Sequence, residues 1–173
     1  MNPVLSSIES FTLDIATINR GHISKKKLMD NAGCKSAQFI IENIDNPFNQ
    51  QFIILVGPGN NGGDALICHY YLLKYGVNSQ LLILDDRIKN NWIFKDYSID
   101  ADSGINYSDI NILSSNNWYI DGLFGVGFKR DITGPYKTLI QMISKFPHII
   151  SLDIPSGIYG NTGMSAENFI KAE

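Results

Sequence analysis

Hydrophobic positions along this chain switch between helical spacing and short unbroken runs. Residues 24–44 follow helical spacing: Leu28, Ala32, Ser36, Ile40 and Ile44 fall on one stripe, and Ser24 stands where an N-cap belongs. Pro47 and its polar neighbours end that pattern. Phe52 to Val56 is a continuous apolar run of the kind a strand covered on both faces requires. Gly57 to Gly63 reads as a turn. Asp64 to Tyr75 returns to helical periodicity, with Gly76 at the C-terminal cap. Leu81 to Leu84 predicts a second strand. Residues 85–117, rich in Asn, Asp and Ser, predict little beyond an apolar island at Trp92, Ile93 and Phe94, read as core or lid packing. Trp118 to Ile120 reads as a strand running into Asp121. Gly134 to Phe146 reads as a helix with Pro135 in its first turn and Leu139, Ile140 and Ile143 facing inward. His148 to Leu152 is a further strand, ending at Asp153. Strands alternating with helices predict an α/β fold with a mostly parallel sheet.

That architecture gives the polar segments a meaning. GPGNNGGD (Gly57 to Asp64), DGLFGVGFKRD (Asp121 to Asp131) and DIPSG (Asp153 to Gly157) each follow a strand. In a parallel sheet such loops gather at the carboxyl edge, where ligands bind. The first loop contains G-x-G-x-x-G at Gly57, Gly59 and Gly62, between a strand and a helix, and Asp85 ends the next strand. This is the setting of a dinucleotide fingerprint. Asp64 opposes phosphate binding at that helix start. A Walker A loop is excluded, because Gly63 and Asp64 stand where Lys and Ser/Thr are needed. Asn60 and Asn61 offer amides to a polar ligand or a hard cation; the plainer reading is a tight turn.

Asp121 and Asp153 each terminate an apolar strand, and a buried carboxylate needs a partner or a proton. The plainer reading of both is turn or helix capping. One amide oxygen, one carboxylate, one hydroxyl and some carbonyls suit a monovalent cation such as potassium better than a divalent ion. Asn61, Asp121 and Ser156 have the side chains for it. Lys129 and Arg130 are the adjacent basic pair near the expected cleft, either phosphate donors or a solvated pair.

Composition narrows the function classes. The 173 residues suit one domain able to bury roughly 70% of its unfolded surface. Fourteen basic against 17 acidic residues, a net charge of -3, argue against a nucleic-acid partner. No apolar run approaches a membrane span, and the N-terminus lacks a signal-peptide pattern. Cys34 and Cys68 make no disulfide framework and read as buried thiols of a reducing, cytoplasmic compartment. His22, His69 and His148 are scattered and no CxxC occurs, so zinc is not expected.

VGPGNNGGDALI, DGLFGVGFKRDITGPY and LDIPSGI, in this order, together with LMDNAG (Leu28 to Gly33), resemble the NAD(P)H-hydrate epimerase family, also called the YjeF N-terminal domain family. The resemblance runs from about residue 24 to the C-terminus. It implies a Rossmann-like three-layer sandwich and an enzyme, commonly dimeric, that interconverts the R and S forms of NADHX and NADPHX, cofactors hydrated on the nicotinamide ring. It implies that Asn60, Asn61, Gly62, Gly63, Asp64, Gly125, Val126, Gly127, Phe128, Lys129, Arg130, Asp131 and Asp153 contact the hydrated dinucleotide. It assigns one potassium ion per subunit to Asn61, Asp121 and Ser156. Asp153 is the expected acid–base group, with Lys129 assisting through charge. Some family members are fused to an ADP- or ATP-dependent dehydratase, so a separate or fused dehydratase is an expected partner. The family's sheet continues beyond DIPSG, whereas this sequence ends at NFIKAE; the expectation is a single domain over 1–173 lacking its C-terminal strands.

Two rival functions use the same loops. An NAD(P)-dependent oxidoreductase would share the glycine turn, but no Tyr-x-x-x-Lys or catalytic His stands out. A non-catalytic nucleotide-binding or scaffold module of this fold would be expected to lose the Asn–Asp set, which is present here.

Overall fold

A computed structural model describes residues 5–21 and 23–172; His22 lies outside the described residues. Helix α1 (Ser7–Asn19) opens the chain, followed by α2 (Lys25–Asn43), β1 (Phe52–Val56), α3 (Asn60–Lys74) and β2 (Ser79–Ile83). After α4 (Trp92–Asp96) come β3 (Trp118–Gly122), α5 (Gly134–Ile143) and β4 (Ile149–Ser151). All strand pairs are parallel, in the order β2-β1-β3-β4. The expected α/β class with a parallel sheet is therefore observed.

Strand β1 is central, and its five residues are buried. Phe52, Ile54 and Val56 pack with Ala65, Leu66 and Leu72 of α3 and with Ala37 and Ile40 of α2. Ile53 and Leu55 point the other way, into a second core half with Leu139, Ile140 and Ile143 of α5. Alternation along one strand thus feeds two helical layers, each such side chain contributing roughly 1.5–3 kcal/mol by leaving water. Trp92 packs against the first core half, while Ile93 and Phe94 are buried in it, as core packing requires.

Three expectations are corrected. The helix after β1 begins at Asn60, not Asp64, so Asn60 to Gly63 form its first turn rather than a loop. Helix α2 is capped by Ser24 as expected, but its buried face runs through Gly33, Ala37 and Ile40 while Ala32 is exposed. Small residues decide that face: a Cβ on Gly33 would lie 2.6 Å from Ile67 Cβ, so α2 approaches α3 closely along this line. Helix α1 has no counterpart among the expected elements. Ser6 and Glu9 form a capping box at its start, and none of its residues is buried. Cys68 is buried, Cys34 is half-buried, and both are free thiols. His69 is buried and bonded to Ser79 Oγ at 2.9 Å, a structural role. Among the described residues, no helix is long and apolar enough to cross a membrane.

Candidate functional site

The chain leaves β1 toward β2 on one side and returns to β3 on the other. The carboxyl ends of β1 and β3 therefore flank a topological switch point. The loops that follow them touch. A Cβ on Gly57 would lie 1.7 Å from the Leu123 carbonyl oxygen, and one on Gly62 would lie 1.8 Å from the Gly57 carbonyl. Neither glycine has a positive φ, so backbone approach, not conformational freedom, demands them. This contact carries the first helical turn of α3 against the β3 loop.

Asn61 sits in that turn, 7% exposed, and neither its Oδ1 nor its Nδ2 has a hydrogen-bond partner. A buried amide left unpaired is costly, so the site invites a ligand, water or ion there. Asp121, at the end of β3, is fully buried. Its carboxylate accepts from Ser151 Oγ (2.8 Å), Ser156 N (2.8 Å), Ser156 Oγ (2.6 Å) and Leu123 N (3.2 Å). Burial pushes its pKa up, and the bonds from Ser156, Ser151 and Leu123 oppose that rise. The capping reading of Asp121 is thus realised alongside any other role. Ser156 is equally buried, and its Oγ also accepts from Phe124 N at 2.9 Å.

Asp153 is exposed and adopts φ +63°, the left-handed region that non-glycine residues seldom occupy. Its Oδ2 accepts from Val126 N at 2.6 Å, so it caps the neighbouring loop and not its own. A Cβ on Gly125 would lie 2.4 Å from Asp153 Oδ2 and 3.3 Å from Asn61 Cβ, which locates all three loops around one point. Asp64 lies one helical turn after Asn61 on the same face of α3. Burial, then the charges of Asp153 and of Asp14 on α1, push its carboxyl up to about 7.

The remaining expected residues divide. Gly62 and Gly63 are buried in the turn; Asn60, Gly127, Lys129, Arg130 and Asp131 are exposed along the rim. Lys129 makes no hydrogen bond to Asp153. Phe128 is buried in the core half of α5, its ring stacked on Tyr159 at 5.5 Å and adjoining Phe124 at 5.4 Å. Ser151 is a partner that sequence reasoning missed; only its place opposite Asp121 in the β3–β4 register reveals it. Among the described residues, no cluster of three or more His, Cys, Asp or Glu is placed to hold a metal. A cavity of about 250 Å³ opens at the end of β2, between Ile83, Leu84, Lys89 and the segment around Gly104 and Tyr107.

Comparison with known proteins agrees with this layout. A family described as YjeF-related protein N-terminus matches residues 25–173. A protein of Oenococcus oeni named NAD(P)H-hydrate epimerase is 31% identical, over 97% of this chain and 81% of its own length. A protein of the same name from Nitrosopumilus maritimus is 30% identical over 90% of this chain and 77% of its own length. A bifunctional NAD(P)H-hydrate repair enzyme of Thermofilum pendens is 28% identical, and this chain spans 32% of it. The crystal structure of the yeast protein ynu0 superposes with a TM-score of 0.79 at 21% identity, over 99% of this chain and 78% of that one, and so shares the fold.

Proposed function

Because the chain belongs to the YjeF-related protein N-terminus family, we propose that it is an isomerase that interconverts the R and S epimers of NADHX and NADPHX. Relatives of near-equal length bearing the name NAD(P)H-hydrate epimerase support this. The observation that carries it is the meeting of Asn61, Gly125 and Asp153 at the carboxyl edge of the sheet. That meeting provides a cleft with an exposed carboxylate beside backbone loops able to approach a dinucleotide closely.

Inverting the hydrated carbon requires breaking and remaking either its C–OH bond or its bond to the ring nitrogen. Loss of the hydroxyl leaves an iminium-type ring and water; opening the ring leaves an aldehyde. In the first route a group gives a proton as the C–OH bond breaks and recovers it as water adds back; in the second a group takes the hydroxyl proton while the ring nitrogen gains one as the C–N bond breaks, and both transfers reverse on closure, with no change of oxidation state in either. Asp153 suits that exchange, being exposed and held by the Val126 amide. Asp64, which retains a proton to about pH 7, is a second carboxyl near it. Lys129 lends positive charge at the rim.

The residues present also fit a bound potassium ion. The orphaned Asn61 Oδ1, the buried Asp121 carboxylate, to which no cationic side chain among the described residues is bonded, and Ser156 Oγ make an oxygen donor set with a single formal charge. When bound, potassium supplies local positive charge that offsets Asp121 and orders the loops around the substrate. Asn60, Gly62, Gly63 and the rim from Gly125 to Asp131 would line the dinucleotide. The free thiols Cys34 and Cys68 agree with a cytoplasmic setting. A homodimer, and a dehydratase acting on the same or a separate chain, complete the reading; the bifunctional relative supports the second.

The test is chromatographic separation of the NADHX epimers after incubation with the purified protein. A single epimer should relax to the equilibrium mixture much faster than in buffer. Relaxation at the buffer rate would refute the activity, and oxidation of a reduced nicotinamide with a carbonyl substrate would favour an oxidoreductase instead.

A further inference from the structure

We propose that Gly160 is a positioning residue for the Asp153 carboxylate: it lets the turn between Ile158 and Ser165 press on Val126, whose amide holds that carboxylate. The effect on turnover rests on the epimerase reading; the contact itself does not.

Asp153 has to be held at both backbone and side chain. Its backbone lies at φ +63°, a conformation that persists only where the surrounding structure over-determines it. Its side chain is exposed, and its Oδ2 accepts from Val126 N at 2.6 Å. A carboxylate held this way is oriented only as well as the amide that donates to it. Val126 stands between Gly125 and Gly127, so its own segment does little to fix that amide.

The chain supplies the constraint by folding back. Beyond Asp153, Ile158 and Ser165 form an antiparallel bridge. The turn between them is closed by bonds from Tyr159 N to Met164 O (2.9 Å) and from Gly163 N to Tyr159 O (2.8 Å). Ala166 N donates to Gly157 O at 2.7 Å, which pins the base of the turn to the DIPSG segment. This turn meets the loop after β3 twice. The Tyr159 ring stacks on Phe128, and Phe128 N donates back to Gly125 O at 2.9 Å. Gly160 meets Val126 itself: a Cβ there would lie 2.4 Å from Val126 Cγ2 and 3.3 Å from Val126 Cα. From Asp153 along the chain to Gly160, across to Val126 and back to Asp153, the contacts close a circuit. Both partners of the Asp153–Val126 bond are thereby fixed in one frame.

Space, not conformation, requires glycine at this position, because its φ is not positive. Ser7 Oγ of α1 lies 3.3 Å from the same Cβ position, and Ser7 N and Oγ both donate to the neighbouring Asn161 Oδ1, at 3.0 and 2.5 Å. An added methyl therefore has little room to turn aside. Val126 is β-branched and stiff at χ1, so it must shift, and its amide with it. A displacement of about 1 Å at a reacting group costs up to about 100-fold in rate.

The experiment is a double-mutant cycle of Gly160→Ala and Val126→Ala. It is read by kcat and KM for epimer exchange of NADHX and, without substrate, by hydrogen exchange of the residue-126 amide. Gly160→Ala should lower kcat about tenfold and leave KM within about twofold. In Val126→Ala, which lacks the opposing Cγ2, the same change should cost less than about threefold. The residue-126 amide should likewise exchange about tenfold faster on adding the methyl beside valine, and little faster beside alanine. Should Gly160→Ala fail to fold, the double variant must recover a folded, active protein. Asn161→Ala frees Ser7 but keeps the Gly160 contact, so kcat should stay within about twofold of wild type. A loss there as large as that of Gly160→Ala would place the constraint in α1 and overturn the assignment. Equal costs in the two Val126 backgrounds, or a loss confined to KM, would overturn it as well while leaving epimerisation intact. An amide-exchange cycle with the expected coupling in a protein that does not epimerise NADHX would uphold the positioning and refute the activity.

Discussion

Gly57 and Leu123 are in backbone contact: a Cβ on the glycine would lie 1.7 Å from the leucine carbonyl oxygen. The ends of β1 and β3 are also joined by the bond from Gly57 N to Gly122 O at 3.1 Å. The cleft between the first two motif loops therefore has a fixed width, set where no side chain fits.

Gly57→Ala must push these loops apart or break that bond. We expect a loss of about 3 kcal/mol, at the upper end for single substitutions because the opposing atoms are backbone. Gly127→Ala, where nothing lies within 4 Å of the added carbon, should change stability by no more than about 0.5 kcal/mol. Urea denaturation of both variants measures the difference, and similar midpoints would contradict the contact.

This contact explains which parts of the site are legible from residues alone. The run FIILV and the apolar runs before Asp121 and Asp153 are too short for helices and are bounded by turn residues, so they read as buried strands, and the convergence of three loops follows from the parallel sheet. The start of α3 does not follow. Asn-Asn-Gly-Gly has poor helix propensity and reads as a turn, but Gly57, Gly62 and Gly63 let the first turn pack against backbone and Met29, and that packing overrides propensity. Likewise the buried face of α2 is chosen by Gly33 and Ala37, residues that apolar periodicity undervalues. Ser151 carries no local signal, because it meets the site only through the β3–β4 register.

Asp121 should be the most costly polar residue of the site to truncate. Asp121→Ala leaves Ser156 N, Ser156 Oγ, Ser151 Oγ and Leu123 N without their acceptor in a buried place. A loss of about 3 kcal/mol is expected. Ser151→Ala removes one donor from a carboxylate that keeps three others and should cost about 1 kcal/mol. Equal losses for the two variants would show that the network is not centred on the aspartate.

The carboxyl of Asp64 gives a pH signature. Its folded pKa, about 7, lies above the ordinary aspartate value of 3.8. Its contribution to stability is therefore complete below about pH 4 and is lost as pH rises through 7. Asp64→Asn stays neutral throughout, so the variant's advantage over wild type should grow by about 2–3 kcal/mol from pH 5 to pH 8. Denaturation midpoints across that range, in potassium-free buffer, test it; parallel curves would remove the shifted carboxyl.

Asp153 is the residue on which turnover should depend. Asp153→Asn keeps a side-chain oxygen that can accept from Val126 N but cannot carry a proton, so binding should survive while kcat for epimer exchange falls about 100- to 10,000-fold. A Lys129→Met variant, altering only charge at the rim, should fall less. Epimer exchange by Asp153→Asn at the wild-type rate would move the acid–base role elsewhere, with Asp64 the next carboxyl to test.

The unpaired amide of Asn61 supplies the last prediction, one that needs no substrate. If potassium binds the folded protein through Asn61, Asp121 and Ser156, and does not bind the unfolded chain, it must stabilise by mass action. Raising its concentration from well below to about 100 times its dissociation constant adds about 2.7 kcal/mol. Sodium at equal ionic strength controls for screening, which acts on surface pairs such as Lys26–Asp96 whichever cation is present. Asn61→Leu keeps a side chain of similar size and removes both unpartnered polar atoms, so it should be no less stable than wild type without potassium and insensitive to the ion. Thermal midpoints that rise equally with sodium and potassium, or that keep their potassium dependence in Asn61→Leu, would leave the orphaned amide to a bound water or to the substrate itself.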